Sequence, residues 1–527
     1  MTTRSTGRAR GRGAAALVAA MLTLAACGGS DDGDGDGSTS ASSADADPNA
    51  ELRLAFDVMP ASMDPHVVAH DGETTFLRLV YDTVLMLDKD QQLQPGIAES
   101  WEMSEDATTL TLTLREGATF HDGSAVDADD VAASLERGQT LAGSTVKGQL
   151  ANLASVEVVS PTELTLTLTT PDTTFPFQLA TAAGMVISSE AVEAGTSLTT
   201  DPAGAASGPY TVASFTPRES LSVTRWEEEH WDEAAGLAAE ITLENVVDPE
   251  ARLNGLRTGE YDMIRARQTM DVLEPLESAG FVIYSFDAAS NVTLFLHSDT
   301  PLTASAETRT AVAQAFDKEA AAGAASDDCS PVTQIFPEGS DAHIEDYAPL
   351  EYAPDDAEAA LGSVSDAELS VMFGSGTVRE QRLSELLKQN LEDVGGSVTL
   401  NPVPTADTVG AFLGNSNTGW IVGALTQPDP VQYVERYYLN APFALLEGDP
   451  QRDALQAIVT EAKGLPLGSE ERAEALQEMH RLALESAVLI PICQPAVRFA
   501  ASEDVIGVDD MPFTWQALYD FRYLGKS

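Results

Sequence analysis

Basic residues are scarce in this chain. Its 527 residues hold 29 lysines and arginines against 83 aspartates and glutamates, a formal net charge of -54. A surface that negative repels nucleic acid and anionic lipid headgroups, so neither is a partner for the folded body. Cysteine is scarcer still: only Cys27, Cys329 and Cys493, with no Cys-x-x-Cys pair. Signatures of catalysis are missing too. There is no Gly-x-Ser-x-Gly elbow and no His-Glu-x-x-His pair. Gly525-Lys526-Ser527 imitates the end of a phosphate loop, but Asp520 stands where its first glycine belongs. The seven histidines are scattered; His66 and His70 alone have i, i+4 spacing, which suits either a polar loop after Pro65 or a metal-chelate contact. These absences argue against a secreted hydrolase. The chain reads as a non-enzyme with no cofactor and no dedicated metal site.

No apolar run is long enough to span a bilayer, which takes roughly 20 residues. The longest candidate, Ala14 to Ala26, is shorter and follows a basic segment of Arg4, Arg8, Arg10 and Arg12. It ends in Leu24-Ala25-Ala26-Cys27-Gly28, which resembles a bacterial lipobox. Residues 1–26 therefore read as a lipoprotein signal peptide and Cys27 as the lipidated residue. Residues 27–49 are Gly/Ser/Asp-rich, bury nothing and read as a flexible tether. An exported chain meets oxidising conditions, so Cys329 and Cys493 could bridge, or could be two unrelated buried thiols.

The body of the chain is organised around Pro95 to Arg137. Leu110, Leu112 and Leu114 alternate with threonines, predicting a strand with one apolar face. His121-Asp122-Gly123 predicts a turn, and Asp127 a helix cap with Asp129 and Asp130 in the first turn. The stretch reads Pro95-Gly96-Ile97-Ala98-Glu99-Ser100-Trp101, then Leu114-Arg115-Glu116-Gly117-Ala118-Thr119-Phe120-His121-Asp122-Gly123, then Ala128-Asp129-Asp130-Val131. It resembles the signature of the extracellular solute-binding proteins of the peptide, opine and nickel class of ABC importers (solute-binding protein family 5), with Ile97 for the usual leucine. The resemblance continues through Ser62-Met63-Asp64-Pro65, Tyr81-Asp82-Thr83-Val84-Leu85, Ser207-Gly208-Pro209-Tyr210, Ala251-Arg252-Leu253 to Asp262, and Tyr352-Ala353-Pro354. It spans essentially residues 51–527.

Other elements follow from pattern alone. Glu51–Phe56 is predicted as the first strand, Phe76–Leu87 as an apolar helix, and Val156–Val159 with Leu164–Leu168 as a hairpin. Residues 307–322 are predicted as a helix. A second helix carries Leu383, Leu387 and Leu391 and stops at Gly395-Gly396, and a third is capped by Ser469.

The resemblance implies an α/β, two-lobe fold of the periplasmic-binding-protein type, in its large three-subdomain (class II) variant, with the ligand cleft between the lobes. The expected division is 50–85, 201–290 and 497–527 for the main part of lobe I, 86–200 for its extra subdomain, and 291–496 for lobe II. The expected role is a lipid-anchored monomer on the outer face of the cell membrane. It would capture a peptide or other small solute and pass it to ABC permease subunits. Family members that bind peptides carry a Gly-Trp-x-x-Asp-x-x-Asp-Pro run whose first aspartate pairs with the peptide ammonium. Counting back from Asp429-Pro430 puts Thr426 at that carboxylate and Gly423 at the tryptophan, with Trp420 three residues earlier. The implied ligand-binding set is Trp420, Gly423, Thr426 and Asp429, faced by Met63, Asp64 and Tyr210. A hydroxyl at 426 cannot neutralise an ammonium, which keeps a metal chelate, an opine or a modified oligomer open as the alternative ligand.

Overall fold

The computed structural model describes residues 46–527, apart from short stretches at 69–72, 267–269, 288–289, 299, 301, 326–328, 363, 365–367, 376, 405–406, 415–416, 426, 441–444, 446–448, 510 and 515–517. The signal segment, Cys27, His70 and Thr426 lie outside the described residues.

One long strand, Leu489–Ser502, ties the fold together. Its first half pairs antiparallel with Ser290–Leu296, Phe295 opposite Leu489 and Val292 opposite Cys493. Its second half pairs with Phe281–Asp287, from Asp287 opposite Ala496 to Phe281 opposite Ser502. The sheet continues from one flank through Gly419–Leu425, Glu368–Ser375 and Ser397–Pro404. From the other it continues through Met263–Ala266, Glu51–Phe56, Glu240–Asn245, Ser220–Arg225 and Tyr210–Thr216. Residues 490–501 are mostly apolar, with Ile490, Ile492, Val497, Phe499 and Ala500 among them, and are buried at nearly every position, as a strand covered on both faces requires.

The buried apolar residues fall into separate clusters, and these define two lobes. One cluster draws on residues 52–263 and 497–524. Another draws only on 292–493. A smaller one packs Leu253, Leu256 and Leu273 beneath Ala55 and Ala500. Separate cores joined by two strands let each lobe keep its own packing while their relation changes.

Residues 98–168 form a four-stranded antiparallel sheet in the order Ala98–Met103, Thr109–Leu114, Glu163–Leu168, Leu153–Ser160. The two Leu-Thr strands pair in register, Leu110 opposite Leu166 and Leu112 opposite Leu164, so both leucine rows face one core. The helix Ala128–Thr140 begins with a reciprocal capping box. Asp127 accepts from the amides of Asp129 and Asp130, and the Asp130 side chain accepts from the Asp127 amide. The turn between strand and helix is welded to the rest of its lobe. His121 Nε2 donates to the Gly208 carbonyl at 2.8 Å, and the Arg115 guanidinium lies 3.7 Å from the Trp231 ring.

Two sequence expectations differ. Phe76–Leu87 holds only the end of a short helix, Thr74–Leu77, and then a strand, Leu85–Leu87. Every residue there is buried, so no polar face marked a period. The helix expected over 307–322 is two, Ala306–Ala315 and Lys318–Ala325. Asp317 breaks it by accepting from the Ala320 amide at 2.9 Å, a fresh cap.

Candidate functional site

A cleft of about 840 Å³ opens between the first lobe and the second. The first lobe supplies the tip of the hairpin formed by Leu85–Leu87 and Leu93–Pro95, together with Trp101 and Phe177. The second supplies Asn291, the loop 332–341, residues 427–430 and, from the helix Glu470–Ser486, Arg472 and Leu476; Gln494 comes from the long strand.

The loop 332–341 is held from below. It leaves a short strand, Cys329–Pro331, whose Cys329 forms a disulfide with Cys493, Cα to Cα 5.4 Å. Asn291 Nδ2 donates to the Ile335 carbonyl at 2.9 Å. Gln334 Nε2 donates to the carbonyls of Ile344 and Tyr347 at 2.7 and 2.9 Å. His480 sits under the loop. Its Nδ1 donates to the Ala342 carbonyl at 2.7 Å, so its Nε2 is free to accept from the Ile335 amide at 3.3 Å. Burial pushes the His480 imidazole down to about 4, which keeps it neutral and both bonds in place. Phe336 lies edge-on to His480 and Tyr433, with ring centroids 4.8 and 5.5 Å away. A polar and aromatic wall of this kind can grip a solute of mixed character once it is shielded from water.

Asp429 is a buried part of the cleft lining. It caps the helix Pro430–Val434 by accepting from the Val431 amide at 2.9 Å, and its other oxygen accepts from Arg472 at 2.7 Å. Both side chains are nearly inaccessible to water. Burial raises the Asp429 carboxyl despite the adjacent guanidinium.

The other expected site residues are not gathered here. Met63 is buried in the core of the first lobe, its amide bonded to the Thr199 carbonyl. Asp64 is gripped by both terminal nitrogens of Arg137, at 2.9 and 2.5 Å, and His66 Nδ1 accepts from the same guanidinium at 2.8 Å. That engagement accounts for His66 within its own lobe. Tyr210 is fully buried, and burial pushes its phenol up. Trp420 packs against Phe295 and Phe412 in the second lobe, centroids 6.0 and 5.5 Å away. Gly423 lies exposed on the strand Gly419–Leu425. Of the seven, Asp429 alone lines the cleft among the described residues. Trp101, Phe177, Phe336, Arg472 and Gln494 were not anticipated. Trp101 closes the first run of the signature, Pro95 to Trp101, a signal that could have found it; Phe177, Phe336, Arg472 and Gln494 sit on helices, in a loop or on the long strand with no local mark. Among the described residues no group of three or more His, Cys, Asp or Glu side chains is placed to hold a metal ion.

Two α/β lobes on a shared pair of strands, with a cleft between them, define a binding protein of the periplasmic type. The chain belongs to the bacterial extracellular solute-binding proteins, family 5: the profile of that family's middle region matches residues 92–443. These are substrate-binding proteins of ABC importers, and they bind rather than catalyse. A 201-residue stretch is 30% identical to the glutathione-binding protein GsiB of Salmonella paratyphi A, covering 38% of this chain and only 39% of that one. Its counterpart in Salmonella typhimurium aligns over 460 residues at 25% identity, covering 79% of this chain and 88% of that one. The same fold is seen in AgaA of A. tumefaciens R10 with agropinic acid, at 20% identity and TM-score 0.76, covering 90% of this chain and 99% of that one. It is seen again in DppA of Helicobacter pylori with the peptide STSA, at 17% identity and TM-score 0.73, covering 91% and 98%.

Proposed function

We propose that this chain is a lipid-anchored capture protein for peptides. It holds them in the interlobe cleft and delivers them to a membrane permease. The observation that carries the reading is the cleft itself, large enough for a small peptide and walled by backbone-pinned polar groups and aromatic rings. The binding of glutathione and of the peptide STSA by similar proteins supports it. On this reading lobe I comprises 50–85, 201–290 and 497–527 with 86–200 as its extra subdomain, and lobe II comprises 291–496; the separate core of residues 292–493 supports the split between the lobes. Closure of one lobe on the other buries the solute and presents a changed surface to the permease. Lipidation at Cys27 keeps the body at the membrane.

A second reading, a non-peptide solute such as an opine, a metal chelate or a modified oligomer, draws on two observations. Thr426 replaces the amine-binding carboxylate, and Asp429 is already engaged by Arg472. Native mass spectrometry of the mature chain purified from its own source separates the two. A ladder of co-purified peptide masses supports the first reading; a single non-peptide mass or a metal adduct overturns it in favour of the second.

A further inference from the structure

Peptides come with any charge, and the cleft walls bear on which charge fits. Five charged side chains line the cleft: Asp90, Glu338, Asp341, Asp429 and Arg472. The last two neutralise each other at 2.7 Å. Asp90, Glu338 and Asp341 remain; all three are exposed, and among the described residues none has a basic partner. Asp90 stands on the hairpin tip of the first lobe and the other two on the loop 332–341 of the second, so the surplus negative charge lies on both walls. It sits on a chain of net charge -54, and a low-dielectric cleft focuses such a field on whatever enters. Trp101, Phe177 and Phe336 add aromatic rings, whose faces attract cations.

A second, independent feature concerns the buried ion pair in the lining. Arg472 is only 3% exposed, and while one terminal nitrogen serves Asp429, its Nε has no hydrogen-bond partner. A buried donor left open calls for an acceptor oxygen from the occupant.

We propose that the cleft selects a cationic peptide or amino-acid derivative, its positive charge held between Asp90, Glu338 and Asp341 and a carbonyl or carboxylate oxygen presented to Arg472. This rests on the reading of the cleft as the solute site. It makes the chain a poor receptor for anionic tripeptides, glutathione included, in spite of the likeness to a glutathione-binding protein.

The test is calorimetric titration of the purified mature protein with a lysine-containing tetrapeptide, the neutral Ser-Thr-Ser-Ala, a glutamate-containing tetrapeptide and glutathione, with putrescine and succinate as non-peptide probes. The lysine peptide is expected to bind at least about tenfold tighter than the neutral one, the two anionic peptides not at all, with the gap shrinking as salt rises. The variant D90N/E338Q/D341N changes only exposed groups and is expected to erase the gap between the lysine and neutral peptides. Equal affinities across the charge series overturn the proposal, as does a preference that survives in the triple variant. Binding of putrescine but not succinate, with no peptide bound, keeps the charge selection and overturns the peptide reading; binding of none of the probes overturns both.

Discussion

Lys463 of the second lobe reaches Asp172 of the first, Nζ to Oδ2 2.9 Å, and makes a second ion pair with Glu435 of its own lobe at 3.1 Å. The contact is reinforced on either side. The Thr173 amide donates to the Lys463 carbonyl at 2.8 Å, and Gln432 Nε2 donates to both oxygens of Thr174 at 3.3 Å. Burial pulls the Lys463 ammonium down, but the two carboxylates outweigh it and leave it raised. These bonds join the lobes directly and exist only while the lobes are close.

Lys463→Met therefore removes a fastening of the closed arrangement without touching the cleft lining. The expected loss is about 1–2 kcal/mol of closure free energy, read as a roughly tenfold weaker apparent ligand affinity. Small-angle scattering of the ligand-free variant should show a larger radius of gyration. An unchanged radius and affinity would mean that the pair contributes nothing to closure.

Asp82 lies at the centre of a buried network in the first lobe. Its carboxylate accepts from Arg522 at 3.0 Å, Trp231 Nε1 at 2.9 Å and His230 Nε2 at 3.2 Å. Arg522 in turn meets Asp520 at 2.8 Å, and Asp520 meets Arg78 at 3.2 Å. Burial alone would raise the Asp82 carboxyl, but His230 and Arg522 hold it down to about 2. A depressed carboxyl stabilises the fold above its unfolded value and loses that contribution as pH falls through its folded value. The contribution at neutral pH is on the order of 2 kcal/mol. Asp82→Asn should thus lower the melting temperature strongly at pH 7, and the gap to the unaltered protein should close as pH falls from 4 towards 2. A gap independent of pH would place the effect in packing instead.

The disulfide fixes the start of the cleft loop to the long strand. Cys329→Ser with Cys493→Ser should cost about 2–4 kcal/mol of stability and raise amide exchange most across 332–341. Mass measurement after alkylation, with and without reduction, checks the bond itself. Two freely alkylated thiols in the native protein would remove the premise.

Thr426→Asp should restore a carboxylate for a peptide ammonium and tighten binding of free-amine peptides by about tenfold or more. Calorimetry against a peptide and its N-acetylated form measures it. An equal gain for both forms would show that the new charge acts at long range and not on the ammonium.

The sequence carried the regular elements well where each had a visible period or a cap. The Leu-Thr strands, the Asp127 capping box and the Ser469 cap all depend on near neighbours in sequence, so local pattern specifies them. Phe76–Leu87 misled because complete burial erases periodicity. The candidate site was less legible for a related reason. Motifs shared across the class, such as those holding Asp64, Tyr210 and Trp420, place these side chains in ion pairs and cores within one lobe. The cleft walls at 88–93 and 332–341 are loops without a period. The partnership of Asp429 with Arg472, 43 positions apart, exists only once the helices have packed.

The long strand has a mechanical consequence. Residues 489–502 keep hydrogen bonds into both lobes, and Phe281–Asp287 and Ser290–Leu296 run antiparallel beside them. A two-stranded ribbon can flex and twist, but its strands cannot slide past each other without breaking a ladder of bonds and turning every side chain to the wrong face. Relative movement of the lobes is therefore confined to rotation about this ribbon, which behaves as a leaf spring. Translation is closed to it, so each reopening returns the two walls to the same alignment.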